Sequence, residues 1–243
     1  MRRRTGSGRG GAWFQAALLL SGVVGVLAAG CAATGPRVPR LGSEKSFDGL
    51  LVVENARASA AWINPDFDLS IYSKVKLQGA GIEYRPTRGR SSRASATEFP
   101  MTEGAKARLR QIMQDAFREE MAQSQRFELT DESGPDVLLV WGGLLDVVSH
   151  VPPQRGGRSD VFLRSVGAAT LVIELRDSES NAILARMLDR RAAERISGGF
   201  PSNAATNAGE VRRIARTWAR LLRQRLDEAP TLHGGVVVEG VAP

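Results

Sequence analysis

Two stretches of this chain repeat apolar residues at helical spacing, while the segments between them alternate as strands do. That mixture limits the fold more than any other feature of the sequence. Leu109, Ile112, Met113, Ala116, Phe117 and Met121 fall on one stripe at intervals of three and four. Thr102 suits an N-cap and Glu103 the first turn, so helix is predicted over 102–124. Val211, Ile214, Ala215, Trp218, Leu221, Leu222 and Leu226 make the same kind of stripe over 208–228.

Between the helices the period is two. Val75 and Leu77 alternate with Lys74 and Lys76 in a first strand predicted over 70–84, and "RFEL" (126–129) adds a short one. "PDVLLVWGGLLDVVSHVPP" (135–153) is nearly continuous in apolar residues, as a central strand is. Its Gly142-Gly143 pair implies a bulge or a close backbone approach. In 166–177 Leu171, Ile173 and Leu175 share one face, with Thr170, Val172 and Glu174 on the other. "DSESN" then turns the chain into a partner strand, so 166–195 reads as a hairpin. The expected fold is α+β: a two-layer α/β sandwich with a mainly antiparallel sheet of four to five strands and both amphipathic helices on one face.

The N-terminus carries different information. Arg2, Arg3, Arg4 and Arg9 stand ahead of an apolar run from Ala12 to Ala29, and no charge occurs between Arg9 and Arg37. A positive start, an apolar middle and a small-residue exit are the marks of an export signal. The single cysteine, Cys31, closes the sequence Ala28-Ala29-Gly30-Cys31. That sequence resembles the lipobox of bacterial lipoproteins, although Ala28 stands where that family usually has Leu. The resemblance implies cleavage before Cys31, a diacylglycerol on its sulfur and an acyl group on its new amino terminus. Ala32 in place of Asp implies, by the same resemblance, the outer membrane. A plain transmembrane anchor and an ordinary cleaved signal are the alternatives, and all three export the rest of the chain. A lone cysteine excludes an internal disulfide, so the fold must rest on its core.

The domain reading follows: 1–30 signal peptide, 31–46 lipidated cysteine and flexible tether, 47–229 one globular domain, 230–243 disordered tail. The net charge of +7 falls to +3 once residues 1–30, with four arginines and no acid, are removed. That balance gives no argument for nucleic acid as a partner.

"AWINPDFDLSIYSKVKL" (61–77) resembles the first segment of the bacterial lipoprotein family catalogued as domain of unknown function 3313. Trp62, Asn64, Pro65, Tyr72, Lys74 and Val75 carry the resemblance, and "ELRDSESNAILARMLDRR" and the Trp218 helix extend it. It implies an envelope domain with no established activity and no assigned catalytic residues. The Arg-rich loop 85–98 is longer and more basic than the family leads one to expect.

Candidate chemistry is sparse. Asn64, Asp66 and Asp68 alternate as at the start of a calcium loop, but Leu69 and Val75 occupy the positions that need Gly and Glu. A turn built on Asn64-Pro65 and Asp66 is expected instead. Asp146 and His150 resemble an acid–base pair, yet they stand four positions apart on a strand, which separates their backbones by about 13 Å. No Gly-x-Ser-x-Gly elbow occurs, and the glycines of 6–11 precede no β-α unit. Neither catalytic residues, nor a metal, nor a cofactor is expected. Arg212, Arg216, Arg220 and Arg223 form a basic stripe, and Arg85, Arg88, Arg90 and Arg93 enrich a loop expected to be mobile. Each group reads either as solvated surface or as a patch for an anionic envelope ligand. The expectation is a non-enzymatic, outer-membrane-anchored lipoprotein facing the periplasm and acting on an envelope protein partner. The alternative is a binding module for lipopolysaccharide or peptidoglycan.

Overall fold

The structure, a computed structural model, describes residues 39–86, 98–152, 162–194 and 200–228. In chain order it runs β1 (Arg40–Lys45), β2 (Leu51–Glu54), β3 (Ala60–Ile63), a 3-10 turn (Leu69–Ile71) and β4 (Lys74–Tyr84). Then come α1 (Glu103–Met121), β5 (Glu128–Leu129), β6 (Val137–Ser149), β7 (Phe162–Leu163), β8 (Ser165–Asp177), β9 (Ile183–Glu194), β10 (Phe200–Pro201) and α2 (Ala204–Glu228). The predicted signal, Cys31 and the 230–243 tail lie outside the described residues.

Both helices form where their stripes place them. Thr102 caps α1, its hydroxyl accepting from the Ala105 N–H at 3.2 Å. The α2 helix starts four residues ahead of expectation because the Asn203 side chain accepts from the N–H groups of Ala205 and Thr206. Ile112, Ala116 and Met121 of α1 and Ile214, Trp218, Leu222 and Leu226 of α2 are buried.

Eight strands make one sheet in the order β1-β2-β3-β9-β8-β6-β4-β5, while β7 and β10 pair separately. The α+β class holds, but the sheet is larger than the expected four to five strands, and it is mixed. β4 runs parallel to both β5 and β6, with α1 in the connection. The additional strands β1, β2 and β3 are six, four and four residues long. Runs that short carry little alternation to read. β1, with the polar sequence RLGSEK, occupies residues 40–45 of the stretch whose composition reads as tether.

The expected irregularity at Gly142-Gly143 is shared with β4. Gly79 pairs with Gly142 and Gly81 with Gly143, leaving Ala80 as the extra residue, and Gly81 has φ +104°. A Cβ on Gly143 would stand 3.0 Å from the Gly81 carbonyl oxygen. A second irregularity lies between Leu145 and Val148, where Asp146 takes φ +54°.

Val75, Leu138, Leu171 and Ile173 point toward the helices and are fully buried with Met121. Side-by-side helices of about 10 Å each cover about 20 Å of sheet. Eight strands at about 4.8 Å spacing span about 34 Å. The helices lie over β4, β8 and β9, so the β1–β3 end of the sheet extends past α2.

Candidate functional site

That mismatch between sheet width and helix layer produces an apolar groove along α2, with a volume of about 250 Å³. Trp218, Leu222 and Leu226 lie one helical turn apart and form one wall. Ile173, Leu175, Ala185 and Met187 supply the floor from β8 and β9. Val53, Ala61 and Ile63 close the far side from β2 and β3, and Phe67 and Leu69 close one end. Leu175, Met187 and Leu221 are only half-buried, so the lining is accessible. Arg57 and Arg225 stand at the margin, and Pro39 also contributes.

Asp189 fixes the geometry of the groove. It occupies the helix-facing position of β9 after Ala185 and Met187, is 8% exposed, and accepts from Trp218 Nε1 at 2.9 Å. Arg191 Nε donates to the same oxygen at 2.6 Å. A buried carboxylate is costly unless paired. Here the pairing also holds the indole in one orientation.

The opposite face of the sheet is charged. Glu174 alternates with the core residues of β8 and is 5% exposed. It accepts from Arg186 Nε at 2.7 Å and from Arg176 Nε at 2.9 Å. Arg186 also reaches Asp48 at 2.6 Å, and Arg176 lies 4.6 Å from the Trp141 ring centroid. At the far end of this face Asp146 accepts from both Arg85 and Arg190, the latter at 2.6 Å. The Arg85 hydrogen bonds, and then those of Arg190, hold the Asp146 carboxyl below the usual carboxylate range.

The family described as a protein of unknown function, DUF3313, matches residues 43–222. The chain belongs to that family. No curated protein matches it. Among solved structures, it is similar to protein XCC0632 from Xanthomonas campestris, a member of the DUF330 family. The two are 14% identical over 66% of this chain and 86% of that one, with a TM-score of 0.40. It is also similar to the PelC dodecamer from Paraburkholderia phytofirmans, at 11% identity over 68% of this chain and 97% of that one, with a TM-score of 0.34.

In this DUF3313 domain the sequence candidates fall as follows. Asn64 makes the turn, its Oδ1 accepting from the Asp66 N–H at 2.9 Å, while Asp68 accepts from Ser70. Asp146 is committed to arginines, and His150 donates its backbone N–H to Val166. Among the described residues no group of three or more His, Cys, Asp or Glu side chains could hold a metal ion. The arginine stripe is largely paired with α1: Arg216 with Glu119 at 3.4 Å, and Arg220 and Arg223 with the buried Glu120 at 3.6 and 3.4 Å. Arg88, Arg90 and Arg93 lie outside the described residues.

Sequence reasoning placed Trp218 on a core stripe and did not see the groove. One signal was available. In "ARMLDRR" Asp189 falls on the same period-two face as Ala185 and Met187, and a carboxylate on an apolar face needs a partner.

Proposed function

We propose that this DUF3313 protein is a lipoprotein of the bacterial envelope, anchored through Cys31 in the outer membrane with its domain in the periplasm. Its role is that of a non-enzymatic accessory or scaffold that works through contact with another envelope protein. The observation that carries the reading is Ala28-Ala29-Gly30-Cys31 at the end of an apolar run that follows four arginines. Three acyl chains on that cysteine would make the attachment effectively permanent, since two membrane signals already suffice.

The domain's chemistry supports a binding role over catalysis. The one acid–base candidate, Asp146, is neutralised by Arg85 and Arg190. The alternative, an anionic envelope ligand held by the arginine stripe, has less to draw on than the sequence offers. Arg216, Arg220 and Arg223 already face Glu119 and Glu120.

Intact-mass analysis of the protein from fractionated membranes tests the anchor. A triacylated chain beginning at Cys31 in the outer membrane is expected, with Cys31→Ser left uncleaved. A soluble chain beginning elsewhere would reject it. For the scaffold role, crosslinking in intact envelopes should recover one reproducible protein partner. Recovery of none counts against the role.

A further inference from the structure

The groove along α2 plays no part in the anchor or in the charged networks. Its lining is mostly aliphatic and aromatic; Asp189 is turned to Trp218 Nε1 and Arg191, and Arg186 to Glu174 and Asp48. A ligand entering it meets no buried donor or acceptor that it must satisfy, which favours a hydrocarbon over a peptide or sugar. At about 250 Å³ it has room for about eight methylene groups, taking each as close to the ~30 Å³ of a water molecule. The half-buried Leu175, Met187 and Leu221 leave that hydrocarbon-like surface in contact with water unless something covers it. At the margin stand the exposed Arg57 and the half-buried Arg225, which meets Glu228 at a long 3.5 Å.

We propose that this groove holds a segment of one acyl chain of an anionic membrane lipid, about eight carbons long, with that hydrocarbon between Trp218 and β2–β3 and the headgroup at Arg57 and Arg225. The proposal rests on the lipid-anchored reading for the supply of its ligand. Pro39 lines the groove only eight residues after Cys31. Eight extended residues span at most about 28 Å, so an anchored domain keeps the groove within reach of the bilayer surface. The positive charge at the mouth suits a headgroup of net negative charge, and the apolar interior suits a chain already partly withdrawn from the bilayer.

The test uses the lipidated full chain reconstituted in phosphatidylethanolamine vesicles containing phosphatidylglycerol with a diazirine on one acyl chain. After irradiation the label is mapped by mass spectrometry. We expect label on peptides covering 53–63 and 218–226. It should fall at least fivefold when the groove is filled by Ala56→Trp with Ala61→Leu. Arg57→Glu with Arg225→Glu should lower label from phosphatidylglycerol at least threefold, and leave that from diazirine-bearing phosphatidylethanolamine unchanged. Circular dichroism melts report whether each variant is folded. Should the filled-groove variant unfold, Met187→Trp serves in its place.

Label spread equally over the exposed Phe47, Ile71 and Phe162 would overturn the proposal, as would label that persists in a filled groove. Label confined to 32–38 would overturn the groove and leave the anchor standing. If intact mass shows Cys31 unmodified, the anchor reading fails on its own. Labelling of 53–63 and 218–226 by the same vesicles added from outside would then still support the groove, and its absence would overturn it.

Discussion

Single side chains in this domain decide how several of its buried polar groups are tolerated. Tyr72 is 4% exposed, and its hydroxyl donates to Asp177 at 3.1 Å. Burial, then the Asp177 carboxylate, pushes its phenol from 10.0 up to about 12. A pKa raised by folding stabilises the fold below the unfolded value and loses that contribution as pH rises through the folded one. Unfolding free energy should therefore drop by as much as about 3 kcal/mol between pH 10 and 12. Tyr72→Phe should flatten that alkaline slope in urea titrations, while costing about 1 kcal/mol at neutral pH for the lost hydrogen bond. An equal slope in both proteins would assign the alkaline loss elsewhere. Gly167 faces a different constraint: a Cβ there would lie 2.2 Å from the Val148 carbonyl oxygen on the neighbouring strand. Gly167→Ala should cost about 3 kcal/mol, because neither backbone can move aside without breaking the β6–β8 ladder. A thermal midpoint within a degree of the parent's would refute this.

At the scale of elements, the two helices are joined by charge as well as by apolar packing. Glu120 on α1 is 6% exposed and is reached by both Arg220 and Arg223 from α2. Arg223 is the better placed, since it also meets Asp227 at 3.2 Å and its side chain is only 19% exposed. Arg223→Ala would leave Glu120 with the longer, more exposed Arg220 contact, and should destabilise by about 2 kcal/mol. Arg212→Ala, on the same stripe, should change stability by less than about 0.5 kcal/mol. Equal effects of the two in denaturant titrations would show that the stripe acts only as solvated charge. The α1 N-terminus offers a second check. Thr102→Ala removes the acceptor for the Ala105 N–H and should cost about 1 kcal/mol.

At the scale of the whole molecule, β1–β3 do two things: they cover the edge of β9 and build the far wall of the groove. β9 pairs with β3 through Ala60–Leu188 to Ile63–Ala185. A chain lacking residues before Asn64 would expose that row of backbone groups as an unpaired edge. Such a truncation should self-associate at micromolar concentration, as read by light scattering, and should lose the groove. A monomeric truncation would mean that β1–β3 are dispensable to the sheet.

Local pattern in the sequence was enough for α1, α2, the β8–β9 hairpin and β6. Each is long enough for its period to repeat, and burial of one face is what that period records. The Asn64 turn and the Thr102 cap were equally legible, because their hydrogen bonds close within three residues. Three things were decided only by tertiary contact. Strands of four to six residues such as β1, β2 and β3 exist because β9 offers an edge to β3, β3 to β2 and β2 to β1, and their own residues carry too little alternation to announce it. The parallel pairing of β4 with β6 depends on where α1 returns the chain. The groove arises from the difference in width between eight strands and two helices, a quantity that no segment of the sequence contains by itself.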